Sequence, residues 1–194
     1  MPIVKNIYLI GDSIRLGYDS YVRANLAERA QVYWPQDNAR FVQYTIRYIQ
    51  KWAVEDCVPE SMDIVHWNNG LWDIAHMRDG EMLCSLEEYT AGLRRVIRLL
   101  RTVFPHAQIL FATSTCVVEE RINPGFLRRN ADIERYNTAA KTVMAEYDIP
   151  VDDLYPVSLG IDSALRTEDG VHFTEEGYRR LGREVSDFLQ PYLS

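Results

Sequence analysis

Ser13 closes the run Ile7-Tyr8-Leu9-Ile10-Gly11-Asp12-Ser13, and Asp169-Gly170-Val171-His172 lies near the other end of the 194-residue chain. A serine, an aspartate and a histidine in that order are the parts of a nucleophilic triad. A serine hydroxyl attacks poorly until a base takes its proton, and His172 can be that base. Asp169 can hold the imidazole in the required tautomer and stabilise its cation. Such base catalysis contributes about 10²–10⁴-fold, so a site of this kind also needs donors for the oxyanion. Ser13 supplies one through its own N–H if it begins a helix. Each segment has a plainer reading when taken alone. Gly-Asp-Ser after a strand serves as a turn and helix cap, and Asp-x-x-His before a helix serves as a cap. Their joint presence at opposite ends of a chain of this length favours chemistry.

The elements that must position these residues alternate. Strand-like apolar runs fall at 6–10, 30–33, 64–67, 108–112 and 149–152. Helical stretches fall at 16–28, 41–54, 86–104, 129–147 and 175–192. Within the third helix Leu93, Val96, Ile97, Leu100 and Val103 recur at helical spacing. Ser85 with Glu88 reads as a capping box at its start. Thr174 opens the last helix, with Glu175 and Glu176 in the first turn, where the helix dipole favours anions. Strands alternating with helices predict a three-layer α/β/α sandwich with a five-stranded parallel sheet. The long irregular stretches 34–40, 68–85, 114–128 and 154–172 all fall at the sheet edge that carries Ser13. Loops gathered at one edge usually build the site.

Size and composition narrow the class. A chain of 194 residues suits one domain spanning 1–194, and no repeat, linker or low-complexity tract divides it. A net charge of −7 disfavours nucleic acid as partner, because phosphate binding needs a basic surface. No apolar run approaches the roughly 18 residues of a membrane span, so no membrane association is expected. The chain enters its first strand without a charged and then apolar leader, and a cytoplasmic location is the expectation. Cys57, Cys84 and Cys116 are widely spaced without a CxxC, which argues for buried reduced thiols rather than zinc or dithiol chemistry. No metal and no cofactor is expected. Whether identical copies assemble is left open.

Gly11-Asp12-Ser13 after the first strand, together with Asp169-Gly170-Val171-His172-Phe173-Thr174-Glu175-Glu176-Gly177, resembles the GDSL/SGNH hydrolase family over nearly the whole chain. Asp63-Ile64-Val65-His66-Trp67 followed by Gly70 is similar to the family's third block, and Tyr136-Asn137 begins a helix as in some members. The resemblance implies a flavodoxin-like fold and metal-free ester hydrolysis. It also implies the roles above: Ser13 nucleophile, His172 base, Asp169 orienter.

Two blocks depart from the family pattern. Where the second usually has glycine, this chain reads Trp34-Pro35-Gln36-Asp37-Asn38-Ala39-Arg40. Where the third has Gly-x-Asn-Asp, it reads Gly70-Leu71-Trp72-Asp73, so Trp72 stands in the place of the oxyanion asparagine. An indole N–H donates, but with a different reach from an amide. Ser13, Asn38, Asn68 and Gly70 are therefore the expected oxyanion residues. Asp12, Arg40, Trp72 and Asp73 are the expected substrate-binding residues. Tyr18, Trp34, Trp67 and Trp72 lie in or beside the site loops and offer flat faces on which sugars stack. Core packing is the competing reading of the same rings. The variant Trp-Asn-Asn-Gly-Leu-Trp-Asp resembles a subgroup linked to carbohydrate acetylesterases.

Other chemistries fail on spacing. Gly-x-Ser-x-Gly is absent, since Gly11-Asp12-Ser13-Ile14-Arg15 lacks its second glycine. There is no GxGxxG, no Walker loop and no HExxH. His66 reads as a sheet residue, His76 as a loop residue able to line the pocket, and His106 as surface. The expected activity is hydrolysis of short, acetyl-type esters of a small molecule or oligosaccharide. Alternatives are a short-chain lipase or thioesterase of the same fold, or a non-catalytic module that binds a sugar or nucleotide.

Overall fold

Apolar side chains on both faces of each central strand demand cover on both sides of a sheet. The computed structural model describes residues 4–194. Strands β1 (Lys5–Ile10), β2 (Ala30–Tyr33), β3 (Ile64–Trp67), β4 (Gln108–Ala112) and β5 (Val151–Asp152) form one parallel sheet, in the order β2-β1-β3-β4-β5. Helix α1 (Ser13–Leu26) packs with α6 (Glu175–Leu189) on one face. Helices α2 (Val42–Asp56), α3 (Leu86–Val103) and α4 (Asn130–Glu146) lie side by side on the other. The α/β sandwich expected from the alternation of elements is the architecture found.

Local chemistry explains most element ends. Ser85 and Glu88 form a complete capping box at the start of α3, and Leu93, Val96, Ile97 and Leu100 are buried. Thr174 caps α6. β5 is two residues long rather than the expected four. Pro150 has no N–H to give the ladder, although its carbonyl accepts from Phe111. The last helix becomes 3₁₀ at Gln190–Leu193, where Pro191 interrupts it. The stretch 154–172, expected to be irregular, contains α5 (Leu154–Leu159). Six residues that include Pro156 leave too short a period to recognise in advance.

Two features of this fold position the site. The chain steps from β1 outward to β2 and then crosses to β3 on the other side of β1. The strand order therefore reverses beside β1, and open α/β sheets place their crevice at such a switch point. The face formed by α1 and α6 is also unusually close. A Cβ on Gly17 would lie 2.1 Å from Tyr178, so only glycine lets α6 sit this near the helix that begins at Ser13.

Candidate active site

Helix α1 starts at Ser13 itself, three residues earlier than periodicity suggested. Asp12 is the cause: its Oδ1 accepts the Ile14 N–H at 2.9 Å and its main-chain carbonyl accepts the Leu16 N–H. Ser13 thereby occupies the first turn, where its N–H has no acceptor among the described residues, and its side chain stands above the end of β1.

His172 arrives from the segment leading into α6. Ser13 Oγ and His172 Nε2 are 2.8 Å apart although 159 residues separate them. His172 Nδ1 lies 2.6 Å from Asp169 Oδ2. Asp169 Oδ1 accepts the Thr167 hydroxyl and the N–H groups of Val171 and His172. Partial burial raises the Asp169 carboxyl, but the hydrogen bonds from Thr167, His172 and Val171 outweigh it and hold the group well below the usual carboxylate range. An ionised carboxylate only accepts, so Nδ1 carries the imidazole proton and Nε2 is left to accept from the Ser13 hydroxyl. Because Asp169 stays ionised far into acid, any loss of activity on mild acidification has to come from another group. The loop itself is braced by buried Arg166, which donates to the Cys116 and Ser158 carbonyls and lies 3.7 Å from the Phe173 ring centre.

These three residues open onto a cavity of about 250 Å³. Its apolar wall includes Leu71, Trp72, Ile122, Phe126 and Val171, and Arg128 adds a guanidinium. The Trp72 and Phe126 rings meet edge to face at 5.5 Å. Trp72 is the one substrate-binding candidate that reaches this wall.

The other expected site residues have different work. Asp12 is buried and is the cap of α1 rather than a substrate contact. Arg40 is exposed and turned over the Tyr44 ring, 4.6 Å away. Asn38 spends its Oδ1 on the Arg40 N–H, which supports the left-handed Arg40 backbone (φ 49°). Asn68 donates its amide to the Ala112 carbonyl and faces a separate cavity of about 10 Å³. Gly70 is a packing position: at φ 150° it lies against Ser114, and a Cβ would come within 2.5 Å of that hydroxyl. Of the expected oxyanion set, only Ser13 lines this cavity.

Asp73 is wholly buried and does not contact the cavity. Helix α2 has no side-chain cap of its own at Phe41, and Asp73 Oδ1 accepts the Val42 N–H from a distance in sequence of 31 residues. Burial pushes its carboxyl up from 3.8 to about 7. Between these two values the folded protein holds a proton that the unfolded chain has released, so stability falls as pH rises through that window. Asp73→Asn keeps the acceptor and abolishes the titration. The variant is expected to gain on the wild type by a few kcal/mol between about pH 4 and about pH 8, at about 1.4 kcal/mol per unit of pKa displacement. Urea denaturation of both proteins at the two pH values measures this. A constant difference would mean that Asp73 does not titrate on unfolding in this range.

The remaining aromatics and histidines are structural. Trp67 is fully buried with its indole N–H on Asn69 Oδ1, Tyr18 is buried, and Trp34 lies under the Arg23 guanidinium. His66 pairs with Asp152 in the core, His76 with Asp132 at the start of α4, and His106 is exposed. Arg128, Phe126 and Ile122 were not anticipated. They sit in an irregular loop, and no spacing marks which of its residues turn inward. Among the described residues no group of three or more His, Cys, Asp or Glu side chains is placed to hold a metal ion. No described helix is long and apolar enough to cross a membrane.

A search of curated proteins finds no match. Among solved structures, the chain is similar to the lipase/acylhydrolase from Enterococcus faecalis (TM-score 0.72, 21% identity, 97% of this chain and 96% of that one). It is also similar to the acetyl xylan esterase AlAXEase (TM-score 0.75, 16% identity, 95% and 99%). A third is the carbohydrate acetylesterase family member from Sinorhizobium meliloti (TM-score 0.72, 17% identity, 98% and 99%). At these identities the likeness is one of fold. The family model described as GDSL-like Lipase/Acylhydrolase family matches residues 9–180, and so the chain belongs to that family, the SGNH/GDSL hydrolases.

Proposed function

We propose that this protein is a serine esterase that removes short acyl groups, chiefly acetyl, from a carbohydrate ester. The observation that carries the reading is the unbroken hydrogen-bond chain from Ser13 Oγ through the His172 ring to Asp169. Ser13 Oγ attacks the ester carbonyl carbon while its proton passes to His172 Nε2. The carbonyl π pair moves to oxygen, and the Ser13 N–H at the start of α1 donates a hydrogen bond to that oxyanion. When that pair returns, the carbon–alkoxy bond breaks and His172 delivers its proton to the departing alcohol. Water, deprotonated by the same nitrogen, then releases the acid from the Ser13 acyl-enzyme. Asp169 stays ionised and holds the ring.

The short acyl preference rests on the likeness to acetyl esterases, and the cavity offers the acyl group an apolar wall. Sugar as the alcohol rests on the Trp72 and Phe126 rings at that wall, which suit the apolar faces of a pyranose. The likeness to an acetyl xylan esterase and a carbohydrate acetylesterase points the same way.

A ladder of 4-nitrophenyl esters from acetate to octanoate, run beside acetylated xylo- and manno-oligosaccharides, tests the reading. Hydrolysis is expected to be fastest for acetate and to fall at least about tenfold by hexanoate. Rates that climb with chain length would instead make the protein a lipase or thioesterase. Ligand binding without any turnover would make it a sugar-binding module.

A further inference from the structure

The catalytic cycle above leaves one charged group on the cavity wall unused. Arg128 lies in the loop after β4, two residues before α4, and is only 6% exposed. Its Nε–H donates to the Leu71 carbonyl. The Phe126 and Trp72 ring centres lie 4.6 and 5.9 Å from the guanidinium carbon. The head is therefore held by one carbonyl and flanked by two rings. Its two Nη groups find no acceptor, and no carboxylate pairs with it directly, among the described residues. Burial pushes its pKa down, opposed by the more distant charges of Asp12 and Asp169. The Nη groups keep their N–H donors free at the cavity wall, where an oxygen of negative character can take them.

The site creates such an oxygen during the reaction, and of the four expected oxyanion residues only Ser13 reaches the cavity wall, where Arg128 carries the one positive charge besides the His172 ring. The position that holds an amide in the family pattern is Trp72 here. Asn68 has given an amide hydrogen to Ala112, and Asn38 lies off the cavity wall. In the resting state Asp169 pairs with His172 and acts on Arg128 only from farther off, as does Asp12. Once Ser13 has given up its proton, the imidazolium takes the field of Asp169. The guanidinium shares the cavity wall with Ser13, beside which the newly charged oxygen forms.

We propose that Arg128 is a catalytic residue that donates one Nη–H, beside the Ser13 N–H, to the oxyanion of the tetrahedral intermediate. This rests on the esterase reading of the site. The interaction forms with the Oγ–C bond, as the carbonyl π pair moves to oxygen. It relaxes when that pair returns and the carbon–alkoxy bond breaks. Because the charge exists only around the transition state, the contribution falls on kcat rather than on KM.

The test compares wild type, Ser13→Ala, Arg128→Met, Arg128→Lys and Trp72→Phe with 4-nitrophenyl acetate and 4-nitrophenyl hydrogen succinate, with thermal melts to verify folding. Arg128→Met is expected to lose about 10²–10³-fold in kcat on both esters, with KM within about threefold of wild type. Arg128→Lys should recover part of that loss, and Trp72→Phe tests the indole N–H as the competing donor. A kcat for Arg128→Met near that of wild type overturns the proposal. So does a defect confined to the KM of the succinate ester, which would make Arg128 an anchor for substrate carboxylates. A large loss in Trp72→Phe with none in Arg128→Met would assign the role to the indole instead. If Arg128→Met fails to fold, Arg128→Lys decides alone: a reduced kcat at constant KM supports the role, and an unchanged kcat rejects it. Wild type without esterase activity, or Ser13→Ala with full activity, would overturn the underlying reading and be recognised separately.

Discussion

Ser13→Ala is expected to lower kcat for 4-nitrophenyl acetate by on the order of 10⁶-fold, the scale seen when a triad loses its nucleophile. The hydroxyl is the one atom of the cavity that a neighbouring base can activate, and no other serine, threonine or cysteine lines that wall. The fold should barely register the change. Ser13 Oγ bonds only to His172, the Ser13 N–H remains, and alanine is well suited to the first turn of a helix. Thermal melts should therefore overlay while turnover disappears. Mass spectrometry adds a second measurement: a phosphonate ester should attach once to wild type, at Ser13, and not to the variant. Attachment elsewhere, or a variant that still turns over acetate at the wild-type rate, would refute the assignment.

Asp169→Asn is expected to cost about 10⁴-fold in kcat. The reason is a conflict of donors. Asp169 Oδ1 accepts three hydrogen bonds, from Thr167, Val171 and His172, so an asparagine would keep its oxygen there. Its amide nitrogen would then take the place of Oδ2, 2.6 Å from His172 Nδ1. Two N–H donors cannot face each other at that distance. The ring escapes by moving its proton to Nε2, which then points a hydrogen at Ser13 and no longer accepts one. The geometry survives and the base is lost. Nitrogen-15 shifts of the His172 ring report the tautomer directly. Wild-type turnover with the proton still on Nδ1 would show that Asp169 does not set it.

The residues most readable from the chain are those whose structure depends on near neighbours. Four of the five strands lie within a residue of where apolar runs place them, because each run must be buried on both faces. The capping boundary at Ser85 is likewise local chemistry. Ser13, Asp169 and His172 were legible because two short segments at a fixed position in an alternating α/β pattern must meet at one sheet edge. Asp73 misled for the opposite reason. It looks like a polar loop residue, yet the helix it caps starts 31 positions earlier, and that partnership exists only after folding. Asn38 and Asn68 carry the right functional group, but Asn38 lies off the cavity wall and Asn68 gives an amide hydrogen to the Ala112 carbonyl. Arg128 was invisible because an arginine among loop residues is usually solvated. Only the rings of Phe126 and Trp72 and the Leu71 carbonyl turn it inward.

The close seating of α6 on α1 also sets a clock. The hydroxyl and the imidazole stand on segments that meet only after a loop of more than 150 residues has closed, a slow kind of event in chain collapse. During refolding, secondary structure and much of the burial can return before α6 docks, but turnover cannot. The first appearance of product therefore timestamps arrival of the last helix. In the other direction, detachment of that helix silences the enzyme while the sheet is still intact.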